Sequence, residues 1–190
     1  MNEKGRQHLE IKVPTTKMKY KPSDCAGRAL AAFLGKKRCF PFEANAGKYQ
    51  IRVDDEYTYY PYWIGTVWTR KERAIPVYPA KEIIFYAVTD GISGNFIVLR
   101  NVPKTRGLEC PDNKVLPARI SEKKLMNEVL SEAITDRINR QFIFGMPESR
   151  KGQSNMIHLP MTRVQIKRNE DQGDFKEYYV NTYTGEVKTV

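Results

Sequence analysis

Twice along this chain a helix-like stretch runs into a glycine, a proline-led strand-like stretch follows, and a small polar residue beside a glycine marks a tight turn. The glycine-closed ends are Phe33-Leu34-Gly35 and Ile143-Phe144-Gly145. Tyr60-Pro61-Tyr62-Trp63 then corresponds to Leu159-Pro160-Met161-Thr162, with Val67 opposite Val164 or Ile166. Farther on, Tyr86-Ala87-Val88-Thr89-Asp90-Gly91-Ile92-Ser93-Gly94-Asn95-Phe96 runs parallel to Glu177-Tyr178-Tyr179-Val180-Asn181-Thr182-Tyr183-Thr184-Gly185-Glu186-Val187. In both, a polar side chain supplies a local hydrogen bond and glycine supplies the positive φ of a tight turn. Self-similarity on this scale restricts the chain to two copies of one plan; coincidence between common strand and turn signals is the alternative. The expected fold class is α+β: two helix-plus-antiparallel-sheet units, side by side or sharing one continuous sheet, arising by internal duplication.

The first helix is expected after Pro22, with Ser23 or Asp24 as N-cap. Ala26, Ala29, Leu30, Phe33 and Leu34 then form one buried face, and Gly35 closes the helix. The second begins at Ser121, repeats Met126, Leu130, Ile134, Ile138 and Phe142 beside Leu125 and Val129, and ends at Gly145 with Pro147 beyond. Asp136 and Arg140 are spaced as an i, i+4 pair on its outer face. Strands are expected at 49–53, 57–69, 82–89 and 95–100, and again at 156–167, 176–182 and 186–190. Pro61 and Pro160 are each placed at a strand start, where a missing amide hydrogen is tolerated. Pro103, Gly107, Pro111 and Pro117 mark a linker. The organisation read from this is an N-terminal arm (1–20), a first α+β unit (21–100), a linker (101–119) and a second α+β unit (120–190).

The 190 residues are 41% hydrophobic and 28% charged, enough apolar content for a packed core, and no run approaches the roughly 20 apolar residues of a membrane span. The first twenty residues carry five lysines and arginines with no apolar stretch behind them, and the three cysteines are an odd number; both favour a cytoplasmic location. Thirty-two Lys and Arg against 22 Asp and Glu give a net charge of +10, the pattern that suggests a polyanionic partner. The candidate phosphate-binding residues are Lys36, Lys37 and Arg38 in one cluster and Arg70, Lys71 and Arg73 in another, although solvated turns and helix ends carry such charges too.

No constellation for catalysis stands out. His8 and His158 lack a cysteine or carboxylate at ligand spacing, Cys25, Cys39 and Cys110 form no C-x-x-C, and neither phosphate-loop signature occurs. Asp90-Gly91-Ile92-Ser93-Gly94 lies between two strands and reads as a hairpin connection. The acidic groups Asp54-Asp55-Glu56 and Glu170-Asp171 with Asp174 read as solvated turns, which leaves a metal-dependent nuclease as a distant possibility; no metal or other cofactor is assigned. Aromatics instead dominate one strand. Tyr57, Tyr59, Tyr60, Tyr62, Trp63 and Trp68 alternate across both of its faces, one of which must be core while the other offers large contact area at small entropic cost.

Tyr178, Val180, Gly185 and Val187, with Tyr86, Val88, Gly94 and Phe96 as looser equivalents, give each copy an ending that resembles the PepSY unit, one helix packed on a short antiparallel meander. The resemblance implies a non-catalytic inhibitory or chaperone-like module. The strong positive charge departs from that family, so architecture transfers better than activity. Two functions follow as expectations. The first is a non-enzymatic accessory protein holding a protein or peptide partner through Tyr60, Tyr62, Trp63 and Trp68. The second is a nucleic-acid-binding module with the basic clusters on phosphates and Tyr62 or Trp63 stacking on bases.

Overall fold

The computed structural model describes residues 8–35, 47–72, 79–142 and 146–189. In chain order the elements are β1 (His8–Pro14), α1 (Pro22–Phe33), β2 (Tyr49–Lys71), β3 (Lys81–Asp90), β4 (Phe96–Leu99) and β5 (Thr105–Pro111). A single 3-10 turn (Asp112–Lys114) leads to a second helix, α2 (122–141), followed by β6 (Glu148–Arg168), β7 (Lys176–Asn181) and β8 (Val187–Lys188). The fold is α+β, as the sequence implies.

Lys21, rather than Ser23 or Asp24, caps α1. Pro22 takes the first helical position, where its missing N–H costs nothing, and the Asp24 carboxylate accepts from the Lys21 N–H at 3.1 Å. Gly35 follows the helix with φ +65°, its N–H donating to Ala32 O at 3.0 Å. Ser121 caps α2, its Oγ accepting from Lys124 N–H at 3.2 Å. The helix widens to π geometry over Leu125–Val129 and Ala133–Ile138. There the Ser131 and Thr135 hydroxyls donate to the carbonyls of Asn127 and Ser131, in competition with the helix's own amides. Asp136 and Arg140 form their i, i+4 pair at 4.0 Å, while Gly145 lies outside the described residues.

Six strands form one antiparallel sheet in the order β4-β3-β2-β6-β7-β8, which reads alike from either edge. The stretch read as a linker carries β5 and the arm carries β1, and these two strands pair with each other as a separate ribbon. The helices cross over. α1 precedes β2 in the chain, yet its Cys25, Ala29 and Leu30 pack on Val164, Ile166, Tyr178 and Val180 of β6 and β7. α2 precedes β6, yet its Leu130, Ala133 and Ile138 pack on Val67, Phe85 and Ala87 of β2 and β3. Each half of the sheet is therefore covered by the helix of the other half.

Both prolines expected at strand starts sit inside long strands instead. Pro61 O accepts from Gly91 N–H at 3.0 Å, so the side of Pro61 without a donor faces β3, whose pairing with β2 ends one residue away at Tyr62 and Asp90. Pro160 O accepts from Thr182 Oγ1 at 2.8 Å where the β6–β7 ladder ends at Met161 and Asn181. Proline is tolerated because the ladder on that side has already stopped. The acidic run Asp54-Asp55-Glu56 also lies within β2 rather than in a turn, as a bulge opposite Arg163 that increases the local twist.

The hairpin loops after β3 and β7 make the same bonds. Asp90 Oδ1 accepts from the N–H groups of Ile92 and Ser93 (2.9 and 3.0 Å), and Asn181 Oδ1 from those of Tyr183 and Thr184 (2.9 and 3.2 Å). Gly94 and Gly185 close the turns with φ +81° and +73°. Gly91 O receives the N–H groups of Arg119 and Ile120 just before α2, as Thr182 O receives those of Lys19 and Tyr20 just before α1.

Candidate protein-binding face

Alternation along β2 separates two surfaces. Gly65 and Val67 meet α2, so Tyr60, Tyr62, Ile64, Thr66 and Trp68 point to the opposite, helix-free side. Register carries that side across the first half of the sheet, since Trp68 faces Ile84, Thr66 faces Tyr86, Ile64 faces Val88, and the last two continue to Leu99 and Ile97 of β4. Trp68, Ile97 and Leu99 are 49%, 58% and 38% exposed. The result is an apolar, partly solvated stripe running from the far end of β2 to an outer strand.

The corresponding side of the second half is polar. Arg163 pairs across to Tyr179, Gln165 to Glu177, and Tyr179 to Lys188. Glu177 accepts from Arg163 in a close ion pair, from Gln165 Nε2 at 2.9 Å and from Tyr179 OH at 3.3 Å, while Arg163 also reaches Asp54 at 3.8 Å. The Arg163 guanidinium beside it holds the Glu177 carboxyl below the usual carboxylate range.

Between the halves the sheet rolls toward this side. Lys188, on the outermost strand β8, makes a close ion pair with Asp90 Oδ2 and lies 5.2 and 4.9 Å from the ring centres of Tyr60 and Tyr62. β7 and β6 separate β8 from β2, and strands about 4.8 Å apart would put those rings beyond lysine's reach in a flat sheet. Tyr60 and Tyr62, at 2% and 8% exposure, are thus core within the roll, packed with Ile157, Met161 and Tyr179. Tyr60 OH donates to Asp90 Oδ1 at 2.9 Å, and burial pushes both phenols well above their ordinary pKa.

Of the four aromatics assigned to partner contact, only Trp68 is therefore offered to solvent. Tyr60 and Tyr62 are withdrawn because the roll closes over them. Trp63, on the helix side, is half-buried with Nε1 donating to Ile120 O at 2.8 Å, which ties the segment before α2 to β2. Trp68 is set by Gly152: a Cβ there would stand 3.0 Å from the indole Nε1, so the missing side chain is what lets the ring lie down. Beside it opens a cavity of about 430 Å³ lined by Arg70, Glu82, Glu148, Arg150 and Gly152.

Among the basic residues, Arg70 is exposed and paired with Glu72 at 3.1 Å, and Lys71 Nζ stands 5.3 Å from the Phe142 ring centre. Lys36, Lys37, Arg38 and Arg73 lie outside the described residues. Sequence reasoning missed Arg150, Gly152, Ile97 and Leu99. The last two carried a signal, because the unbroken run Phe96-Ile97-Val98-Leu99 puts apolar groups on both faces of its strand. Among the described residues no three metal-ligating side chains gather, and no helix is long and apolar enough to cross a membrane.

His158 sits mid-strand in β6, buried, with Nδ1 lacking a hydrogen-bond partner among the described residues, and burial holds its pKa below the ordinary value of 6.5. A histidine that protonates less readily when folded contributes fully above pH 6.5 and progressively less as the pH falls below it. Unfolding titrations should therefore show a loss of up to about 1.4 kcal/mol per pH unit below 6.5 that His158→Leu abolishes; an unchanged slope in that variant would refute the assignment.

Comparison with family models, curated proteins and solved structures finds no match to this chain.

Proposed function

We propose that the chain is a duplicated, non-enzymatic binding protein whose first half holds an extended protein or peptide segment on its helix-free face. The matching hairpin loops, the matching carbonyl contacts before each helix and the strand order that reads alike from both edges support duplication. The single observation that carries the binding role is the contrast between the halves. Where the second half covers its surface with Arg163, Gln165, Glu177 and Lys188, the first presents Thr66, Trp68, Tyr86, Ile97 and Leu99, with the Trp68 ring half in solvent. Exposed apolar area rimmed by charge is the signature of a contact surface. A partner carrying apolar residues at alternate positions and acidic flanks fits the stripe, the Arg70 and Arg150 rim, and the net charge of +10.

Trp68→Ala is expected to weaken partner binding by about 2 kcal/mol or more, roughly 30-fold, while changing stability by no more than about 1 kcal/mol. Calorimetric titration of a captured partner into both chains, with denaturant unfolding alongside, checks this. Equal affinity for the two chains would remove Trp68 from the role.

A second reading is favoured by one feature, the placement of Trp68 in a cavity with Arg70 and Arg150, which is the pairing of stacking surface and phosphate contacts used on single-stranded nucleic acid. Its signature is oligonucleotide binding that weakens steeply with salt and quenches Trp68 emission. Fluorescence anisotropy at low and high salt separates it from the peptide reading.

A further inference from the structure

We propose that the outer edge of β4 pairs with β4 of a second copy of this chain, joining two six-stranded sheets about a two-fold axis through Ile97. Asp90 N–H donates to Asn95 O at 2.8 Å across the hairpin, which fixes the alternation of the β3–β4 ladder. Val88 and Tyr86 turn their backbone groups toward Ile97 and Leu99, so Phe96 and Val98 turn theirs outward. β4 ends the sheet, and no described residue bonds to that edge.

Edges of this kind are usually guarded by a charge, a proline or a bulge, and Phe96-Ile97-Val98-Leu99 has none of these. The opposite edge is guarded: β8 has two residues, and one of them, Lys188, is held by Asp90. Isologous registers centred on Phe96, Ile97 or Val98 all let outward groups meet, but only the one centred on Ile97 satisfies both Phe96 and Val98 from within β4 itself. Phe96 pairs with Val98 of the second copy and the reverse, leaving Ile97 opposite Ile97 of the second copy as the close, non-hydrogen-bonded pair. In that register Arg100 faces Gly94 of the second copy, so no like charges are opposed at the seam, and the 58% exposed Ile97 gains an apolar partner. The two Trp68 stripes become one continuous surface. With +10 on each chain, long-range repulsion opposes association and salt relieves it.

Self-pairing at β4 does not require a partner at Trp68, and the two separate experimentally, since Trp68→Ala should leave the dimer intact. Sedimentation at about 10 to 100 μM protein in about 0.05 and 0.5 M salt is expected to show a dimer that strengthens with salt. Ile97→Lys, which opposes two ammonium groups at the axis, should make it monomeric with an unchanged circular dichroism spectrum. Ile97→Cys should form an interchain disulfide on mild oxidation that the unsubstituted chain and Leu99→Cys do not form, because only residue 97 meets itself. A monomer under all these conditions, or a dimer that survives Ile97→Lys and does not crosslink through Ile97→Cys, would overturn the proposal.

Discussion

Lys188→Met is expected to destabilise the fold by about 3 to 5 kcal/mol, read as a large fall in the denaturant midpoint with little change in slope. Asp90 is 4% exposed and the Lys188 side chain 15%, so removing the ammonium leaves a carboxylate stranded in the interior of the rolled sheet. The stem of Lys188 also lies over two tyrosine rings, and Met replaces that packing but not the charge. The pairing with Asp90→Asn makes the test specific. Asn181 performs the same turn in the second half as an amide, so the double variant Lys188→Met, Asp90→Asn keeps the acceptor for Ile92 and Ser93 and removes the stranded charge. It should recover more than half of the loss; a double variant no better than the single would mean that the ion pair is not what closes the roll.

The same group sets an acid limit. Burial pushes the Asp90 carboxyl upward, but Lys188, the two backbone N–H groups and Tyr60 outweigh it, and the folded pKa lies below the ordinary 3.8. A carboxyl depressed on folding contributes fully above 3.8, and its contribution is lost as the pH falls through the lower folded value.

Leu130→Ala is the second large effect, expected near the upper end of the usual range, about 4 to 5 kcal/mol and a melting temperature lower by about 10 °C or more. Leu130 is fully buried and its Cδ2 would lie 2.5 Å from a Cβ placed on Gly65. The leucine therefore fills the space that Gly65 leaves open in β2, and truncation creates a hole with a backbone floor, which cannot collapse as a site lined by flexible side chains can. Because Leu130 belongs to α2 but packs on the first half of the sheet, the loss should be global, with both halves unfolding in one transition. Separate transitions in calorimetry would contradict the crossed packing of the helices.

Those crossed helices mark the boundary of what the chain's pattern discloses. The glycine-closed α1, the Ser121 cap and the two turns closed by Ser93-Gly94 and Thr184-Gly185 were legible because each rests on a local requirement, a positive φ or an unpaired N–H, whereas the Asp90 and Asn181 side chains that hold the same loops were not read. The aromatic strand was legible as a strand, yet which of its faces is core was not. Tyr60 and Tyr62 are enclosed because Lys188, far along the chain, reaches across the roll, and no local periodicity encodes that contact. The prolines misled for a related reason: Pro61 looked like a strand start, whereas the β3 ladder simply ends beside it. β1 and β5 were read as arm and linker because Pro111 and Gly107 are punctuation in sequence, while in the fold they lie on a two-stranded ribbon that needs only one partner. The contrast between the two helix-free surfaces depends on which residues lie opposite one another across the sheet, and no local pattern states that.

The most direct measurement of the central claim is peptide-display selection on the immobilised chain, counter-selected with Trp68→Ala, with single-stranded oligonucleotides titrated in parallel. Enrichment is expected of extended sequences with alternating apolar residues and acidic flanks whose binding is lost with Trp68→Ala, together with little oligonucleotide affinity at about 0.15 M salt. Peptides that bind both chains equally, or oligonucleotides that bind tightly where peptides do not, would contradict it.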